Sequence, residues 1–588
     1  MSVEQTSMNQ LITDNIDIWT STVKTKSASG RGSSKKRELY GVKKLRELIL
    51  ELAVRGKLVP QDSNDEPASV LLERIEKEKD SLIKEKKIRK PLKTEQIGSD
   101  EAPFELPVGW EWRRLVHLVT VLGDGLHGTP EYSENGEYFF VNGNNLSNGS
   151  IQIKPETKRV SEEQYLKHKK DLNDRTVLVS INGTLGNVGF YNNEAVMLGK
   201  SACYFNLFQG ISKDYIKRLI ESPYFRNYAF SAATGSTIKN LGLKAMNNFV
   251  LAVPSEVEQN RIVAKVDELM TLCDQLEQQT EASIEAHQVL VTTLLDTLTN
   301  SADADELMQN WERISEHFDT LFTTEASIEQ LKQTILQLAV MGKLSKPLDS
   351  DTPVSNHLDS ILEQQKLTAS AKEFKLIEAE LANTKVEVDT NRVMLKARCF
   401  CDFITKGTTP SKTELLEIGD VPFLKVYNIV DNQLDFDYRP IFISQGVHEG
   451  KLKRSMASPG DVIMNIVGPP LGKVTVLTDQ YTQWNMNQAL AVFKPVDVVF
   501  NRYLYYVLSC DLTLNSVLKE VKGTAGQDNL SLEQCRDLLI PVIGIEEQKR
   551  LVELVDILLD LCKFLKTRLE ESQSTQLHLT DAIVEQAV

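Results

Sequence analysis

No stretch of this 588-residue chain approaches the ~18 consecutive apolar residues of a membrane span, and its start, MSVEQTSMNQ, lacks the basic-then-apolar pattern of a secretion signal. A soluble cytoplasmic protein with no membrane partner is expected. Histidine is scarce, with 8 residues, and the 7 cysteines, Cys203, Cys273, Cys399, Cys401, Cys510, Cys535 and Cys562, never fall in C-x-x-C spacing. That argues against a zinc site and predicts free thiols in a reducing compartment. A phosphate-cradling loop needs G-x-x-x-x-G-K-[ST], but Gly468-x-x-x-Gly472-Lys473-Val474 has the wrong spacing and no hydroxyl for magnesium. An amino-methyltransferase grips its target amine with Asn/Asp-Pro-Pro-aromatic, where polar acceptors sit beside a stacking ring. The nearest string, Gly468-Pro469-Pro470-Leu471, supplies neither. No catalytic residue, metal ligand or cofactor site is therefore assigned.

What is present is a chain written twice. The segment Leu45-Arg46-Glu47-Leu48-Ile49-Leu50-Glu51-Leu52-Ala53-Val54-Arg55-Gly56-Lys57-Leu58 returns without a gap as Leu331-Lys332-Gln333-Thr334-Ile335-Leu336-Gln337-Leu338-Ala339-Val340-Met341-Gly342-Lys343-Leu344. Further on, Asp65, Pro67 and Ser69 meet Asp351, Pro353 and Ser355. Later in each half, Glu258-Gln259-Asn260-Arg261 meets Glu547-Gln548-Lys549-Arg550. The offsets of the first and last pairs, 286 (45 to 331) and 289 (258 to 547), nearly agree, so a whole half is duplicated. Two similar halves imply pseudo-twofold symmetry, which suits a pseudo-symmetric target such as duplex DNA.

The net charge of −15 argues against such a target until it is located. Residues 255–395 hold 11 Lys+Arg against 26 Asp+Glu, the whole excess; 107–254 hold 16 against 13, and 396–541 hold 15 against 16. The acidity belongs to a solvated helical segment. Basic side chains in the two flanking segments remain free to cluster on one face.

Periodicity divides the chain. Residues 1–106 comprise a polar arm, with a loose basic stretch at 27–37, then two amphipathic helices over ~42–58 and ~66–90. Residues 107–254 and 396–541 turn to short β-rich runs punctuated by Gly and Asn. Residues 255–395 and 542–588 are helical; Ile262, Val266, Leu269, Cys273 and Leu276 are spaced 4, 3, 4, 3, as are Leu551, Val555, Leu558, Cys562 and Leu565. That alternation is a coiled-coil seam. The expected fold is α+β, with two strand-rich domains separated by long coiled-coil helices, antiparallel because a twofold axis across the rods reverses one of them. The strand-rich domains resemble each other less than the helices do, as expected if the helices form a shared frame and each domain meets a different target.

The LxxLILxLAVxGKL helix start, the D-x-P-x-S element, the segment Val253-Pro254-Ser255-Glu256-Val257-Glu258-Gln259-Asn260-Arg261-Ile262-Val263, and the alternation of helical and globular regions resemble the specificity subunit of type I restriction-modification systems. The extension carrying Ile16-Asp17-Ile18-Trp19 is similar to that of the type IB branch. The resemblance implies a non-catalytic subunit whose two target-recognition domains read a split sequence in double-stranded DNA. It also implies docking of two methyltransferase (modification) subunits and, through them, restriction/translocase subunits. S-adenosylmethionine, ATP and Mg would then sit on those partners, with no cofactor in this chain. Two alternatives stand beside it: a coiled-coil scaffold binding protein alone, favoured by the acidic centre, and the recognition part of a DNA methyltransferase, disfavoured by the missing motifs.

Reading DNA requires polar and basic side chains that project from loops into the major groove while others hold phosphates. In the first domain the candidates are Asp124, Gly125, His127, Thr129, Asn142, Asn144, Asn145, Lys158, Arg159, Lys200 and Ser201. In the second they are Lys406, Thr408, Thr409, Lys425, Tyr427, Asn428, Lys451, Lys453, Arg454, Asn485, Asn487 and Gln488. His127 beside Asp124 reads as a hydrogen-bonding loop residue rather than a catalytic dyad.

Overall fold

The computed structural model describes residues 8–26, 36–90, 97–98, 101–386, 391–468, 470–518 and 529–588. The basic stretch expected at 27–37 lies mostly outside them. They divide into two compact units, one built from 36–282 with the N-terminal segment and 573–588, the other from 283–572.

The duplicated sequence becomes duplicated helices: α1 (Tyr40–Val54) and α2 (Ala68–Lys84), then α3 (Glu256–Asn300), α4 (Glu325–Val340), α5 (Val354–Thr368) and α6 (Ile545–Ala587). Leu45, Leu48, Ile49 and Leu52 fall on one face of α1 and are all buried, as are Leu331, Ile335 and Leu338 of α4. Each such side chain contributes about 1.5–3 kcal/mol by leaving water. Both helices stop the same way. Gly56 and Gly342 take φ of +67° and +74°, and the next N–H, of Lys57 or Lys343, bonds back to the carbonyl of Leu52 or Leu338 at 2.9 Å. This is a glycine C-cap, which explains why Gly-Lys-Leu repeats along with the helix.

The seams are buried at Ile262, Val266, Leu269 and Cys273, and at Leu551, Val555, Cys562 and Leu565. A short repeat helix lies along each. In the first unit Arg46 of α1 pairs with Asp274 (2.8 Å) and Glu277 (2.6 Å) of α3, while Tyr40 donates to Asp581 of α6 at 2.9 Å. In the second, Gln330 of α4 donates to Thr292 of α3 at 2.9 Å, and α4 shares one core with Leu551, Val555 and Cys562 of α6.

The repeated Glu-Gln-x-Arg is the joint between helix and strand-rich domain. At the start of α3, the fully buried Gln259 accepts from Ser212 N–H (2.8 Å) and donates to the carbonyls of Gly210 and Pro254 (both 3.2 Å). Gln548 of α6 accepts from Phe500 N–H (2.8 Å) and donates to Val498 (3.1 Å) and Ile543 (2.9 Å). Two residues on, Arg261 grips both carboxylate oxygens of Asp65 at 3.0 and 2.6 Å, and Arg550 those of Asp351 at 2.7 and 2.6 Å. The Asp of D-x-P-x-S and the Arg of Glu-Gln-x-Arg are thus partners. Burial raises the pKa of Glu258 and of Glu547 above the usual carboxylate value; Trp110 and Gln61 oppose the rise at Glu258 by donating to it at 3.0 and 2.6 Å.

The first strand-rich domain is entered by the strand Glu111–Arg114, which pairs antiparallel with the exit strand Val250–Val253. Inside are β1 (Val119–Asp124), β2 (Tyr138–Val141), β3 (Arg159–Val160), β4 (Thr176–Ser180), β5 (Val188–Phe190), β6 (Val196–Leu198) and β7 (Ala202–Leu207). They form a sheet of order β5-β4-β7-β1 and a second of order β6-β2-β3, in which β6 and β2 run parallel. The second domain, closed by Val393–Lys396 against Leu539–Val542, repeats the plan with β8 (Cys401–Lys406), β9 (Val421–Leu424), β10 (Phe442–Ile443), β11 (Val462–Asn465), β12 (Val474–Val476), β13 (Asn485–Met486) and β14 (Leu490–Pro495). Its sheets run β8-β14-β11-β12 and β10-β9-β13, with β9 and β13 parallel.

The N-terminal segment, expected to be a polar arm, is in part folded. Helices Met8–Asp14 and Ile16–Ser21 precede a hairpin pairing Val23–Lys26 with Lys36–Leu39, and Trp19 is fully buried. Helices Ala304–Ser315 and Phe318–Leu321 precede α4 as Met8–Asp14 and Ile16–Ser21 precede α1, and the turns that join each pair match, Asn15 lying at φ −119°, ψ 22° and His317 at φ −116°, ψ 20°. All seven cysteines are buried and free. Among the described residues no helix is long and apolar enough to cross a membrane.

Candidate nucleic-acid interface

Three loops meet at one end of the first strand-rich domain. After β1 the chain turns through residues 124–129. A Cβ on Gly125 would lie 2.1 Å from the Leu198 carbonyl, so only glycine lets the loop lie this close to β6, where Leu126 N–H bonds to that same carbonyl at 2.8 Å. Asp124 and His127 join across the turn at 2.6 Å, with the imidazole 72% exposed and Thr129 also exposed. After β2, residues 142–145 form a 3₁₀ turn closed by Asn145, whose side-chain oxygen accepts Asn142 N–H at 3.0 Å. Between β6 and β7 the third loop places Gly199 N–H on the Val141 carbonyl at 2.8 Å. Ser201 bridges the second and third loops, accepting Gly143 N–H at 2.9 Å and donating to Asn142 at 3.0 Å. Asn144 and Lys200 point into solvent.

The second domain builds the same constellation from different side chains. A Cβ on Gly407 would meet the Asn487 carbonyl at 2.1 Å, and Thr408 N–H bonds to Met486 O at 3.1 Å. Asn428 accepts Lys425 N–H at 3.0 Å, as Asn145 accepts that of Asn142, and Asn487 N–H reaches Leu424 O at 3.0 Å. Lys406, Thr408, Thr409 and Gln488 are exposed; Lys425, Tyr427 and Asn487 are half-buried at the same edge. Two frames of equal geometry thus carry Asp, His and Asn in one domain, and Lys, Thr, Tyr and Gln in the other.

The remaining basic candidates differ between domains. Lys158 and Arg159 lie at β3, where Lys158 O accepts Phe140 N–H at 2.8 Å and the Arg159 guanidinium stands 4.4 Å over the Phe139 ring. Lys158 and Arg159 are both exposed, the latter already stacked on its aromatic neighbour. The corresponding strand β10 offers only apolar Phe442 and Ile443. There the cations come from the turn after it. Lys451 pairs with Glu414 at 2.8 Å, and its hydrogen bond holds that carboxyl down to about 2. Lys453 and Arg454 are exposed.

Asn145, Asn428 and Asn485 are buried and not placed to meet a ligand. The Asn145 amide donates to Gln152 O at 3.0 Å, that of Asn428 to Asp435 O (3.2 Å) and Tyr438 O (3.0 Å), and that of Asn485 to Leu452 O at 3.2 Å, while its oxygen takes Ser455 O–H at 2.8 Å. A buried amide must pair every polar atom, and here turn carbonyls do so, so these residues shape the loops that display their neighbours. Asn182, half-buried, and Asn240, exposed, are bonded to each other at 3.0 Å; neither is among the candidates read from the sequence. The signal that could have found Asn182 is its place in the segment Val177–Val188, which matches 462–474 in the other domain. Among the described residues no group of three or more His, Cys, Asp or Glu is placed to hold a metal ion.

Comparison with known proteins agrees with this duplicated plan. The family model described as "Type I restriction modification DNA specificity domain" matches residues 107–286 and again 399–572. The chain is 35% identical to the type I restriction enzyme EcoEI specificity subunit of Escherichia coli, over 99% of this chain and 100% of that one. It is 33% identical to the EcoAI specificity subunit of the same organism with the same coverage. A chain in a solved structure titled for complex assembly and conformational transition of the type I R-M system aligns over 82% of this chain and 99% of its own, at 17% identity and a TM-score of 0.43. With a family domain matched once in each half and relatives alike from end to end, the chain belongs to the DNA specificity subunits of type I restriction-modification systems.

Proposed function

We propose that the domains of residues 107–254 and 396–541 each read one block of a two-part site in double-stranded DNA, the loops 124–129, 142–145 and 199–201 serving one block and 406–409, 425–428 and 487–488 the other. The observation that carries this reading is the recurrence of one three-loop frame with different exposed side chains: the same placement on DNA, different bases read. Exposed Lys158, Arg159 and Lys200 in one domain, and Lys406, Lys451, Lys453 and Arg454 in the other, supply phosphate contacts. The chain is a specificity subunit and does not itself catalyse; it acts in the cytoplasm, where the DNA is. Its helical frame, within residues 1–106, 255–395 and 542–588, docks two modification methyltransferase subunits, one per duplicated half, with α1 and α4 as contributors, and restriction/translocase subunits through them. S-adenosylmethionine, ATP and Mg are held by those partners.

The test is a domain exchange in the assembled complex. Replacing 107–254 with the equivalent domain of a relative, and mapping the DNA methylation that results, is expected to change one block and leave the other and the spacing unchanged. A swap that altered both blocks, or neither, refutes the assignment.

A further inference from the structure

The turn between β4 and β5 carries a second layer onto the reading end of the first domain. Ile181 N–H bonds to the Ser201 carbonyl at 3.0 Å, which ties this turn to the third loop. Leu241 N–H in turn reaches Ile181 O at 2.8 Å, Gly183 N–H reaches Lys239 O at 2.9 Å, and the Asn182 amide donates to Asn240 at 3.0 Å. A hydrogen-bonded ladder therefore runs from the second loop through Ser201 and Ile181 to residues 234–240, a segment about a hundred residues along the chain from the first loop.

That segment is rigidly built. Thr234 and Asn240 exchange both backbone hydrogen bonds, at 3.0 and 2.9 Å, closing it at the base. Gly235 has φ of +93°, and a Cβ there would lie 2.2 Å from the Ile238 carbonyl, so the turn is too tight for any side chain at that place. The tip nonetheless leaves Ser236, Thr237 and Ile238 exposed, Ile238 at 61%. A single exposed apolar side chain is ordinary on a surface. One held on a closed loop that is hydrogen-bonded into a row of polar reading loops is pre-ordered for contact, and loses little entropy on binding. The second domain keeps the same anchor: Leu530 N–H reaches Ile466 O at 2.9 Å, and Val467 bridges Asn529, matching Leu241 on Ile181 and Asn240 on Asn182.

The geometry points to the loop of residues 234–240 as a fourth DNA-reading element of the first domain, with Ile238 meeting a thymine methyl and the Ser236 and Thr237 hydroxyls meeting adjacent base edges or phosphate. This rests on the reading of the domain as a DNA-binding one and adds to it a specificity-determining residue. The chemistry is that of apolar contact with the C5-methyl group, which an aliphatic side chain makes and a cytosine cannot return.

The experiment uses the complete complex with its modification subunits and a set of duplexes carrying every single-base change in both blocks. Methylation rates are compared for the native chain, Ile238→Ala, the double variant Ser236→Ala/Thr237→Ala, and His127→Ala, each checked by thermal melting. Ile238→Ala is expected to lower the preference for one A·T pair in the first domain's block about fivefold or more, the lower end of what a lost base contact costs, and to leave the second block unchanged. If both loop variants keep the native base preferences while His127→Ala shifts them, the loop is not a reading element and the domain assignment stands. If the loop variants change only the second domain's block, the proposal is overturned. If neither they nor His127→Ala alters any preference, the three-loop reading falls as well.

Discussion

Gln259 offers the sharpest test of how a strand-rich domain is held on its helix. It is fully buried and makes three hydrogen bonds, one as acceptor from Ser212 N–H and two as donor to Gly210 and Pro254. Gln259→Ala strands one N–H and two carbonyls. The orphaned donor costs about 1–3 kcal/mol, the carbonyls less because each has a second lone pair, and the lost side-chain volume adds to this; about 3 kcal/mol is expected in all. Gln259→Glu separates the hydrogen bonds from the volume. It keeps an oxygen for Ser212 N–H and nearly the same shape, yet turns a carboxylate oxygen towards two carbonyl oxygens. It is expected to destabilise more than alanine at neutral pH, and to recover in part on acidification, when a protonated carboxyl donates to one carbonyl. Thermal melting of the complex supplies the assay, with a shift of roughly 6 °C or more for alanine at about 2 °C per kcal/mol for a unit of this size. Loss of preference in the first block alone should accompany it. If glutamate proves milder than alanine at pH 7, or both fall within about 0.5 kcal/mol of native, the residue is filler and the joint lies elsewhere.

The Arg550–Asp351 clamp gives a pH signature. Arg550 holds the Asp351 carboxyl below its usual range, so the clamp's contribution is present above the unfolded value of about 3.9 and lost as pH falls through the lowered folded value. Native chain and Arg550→Gln should therefore differ by about 1 kcal/mol in denaturant midpoint experiments near pH 7 and converge below about pH 4; a gap that widens in acid contradicts this. The length of α3 is a further lever. Its 45 residues extend about 67 Å, and Glu281, Ala282 and Ser283 are exposed midway between its two packed halves, whereas Leu298 is fully buried. Four residues inserted after Ala282 add about 6 Å, close to one turn, without opening a core. Methylation mapping should then find both blocks unchanged and the unread spacer lengthened; retention of the original spacer shows that this helix does not set it.

Sequence alone determined the duplicated frame, because its causes are local. Leucines at helical spacing, a glycine with positive φ after the last turn, and repeated Asp and Arg each leave a pattern that survives in the order of residues. It also put Gly125 among the loop candidates, but that close backbone approach admits only glycine there, and at Gly407, is a property of the folded chain. Tertiary structure decided what those residues do to one another. Asp65 and Arg261 are 196 residues apart and form a clamp only because α3 returns beside the turn before α2. Asn145, Asn428 and Asn485 read like their exposed neighbours, since an asparagine that closes a buried turn and one that faces solvent are the same letter; which carbonyls surround the amide is a property of the folded chain. Asn240 and Ile238 gave no signal, lying far along the chain from the other loops. Only the sheet order β5-β4-β7-β1, which sets the β4–β5 turn next to the loop before β7, places them at the same end of the domain.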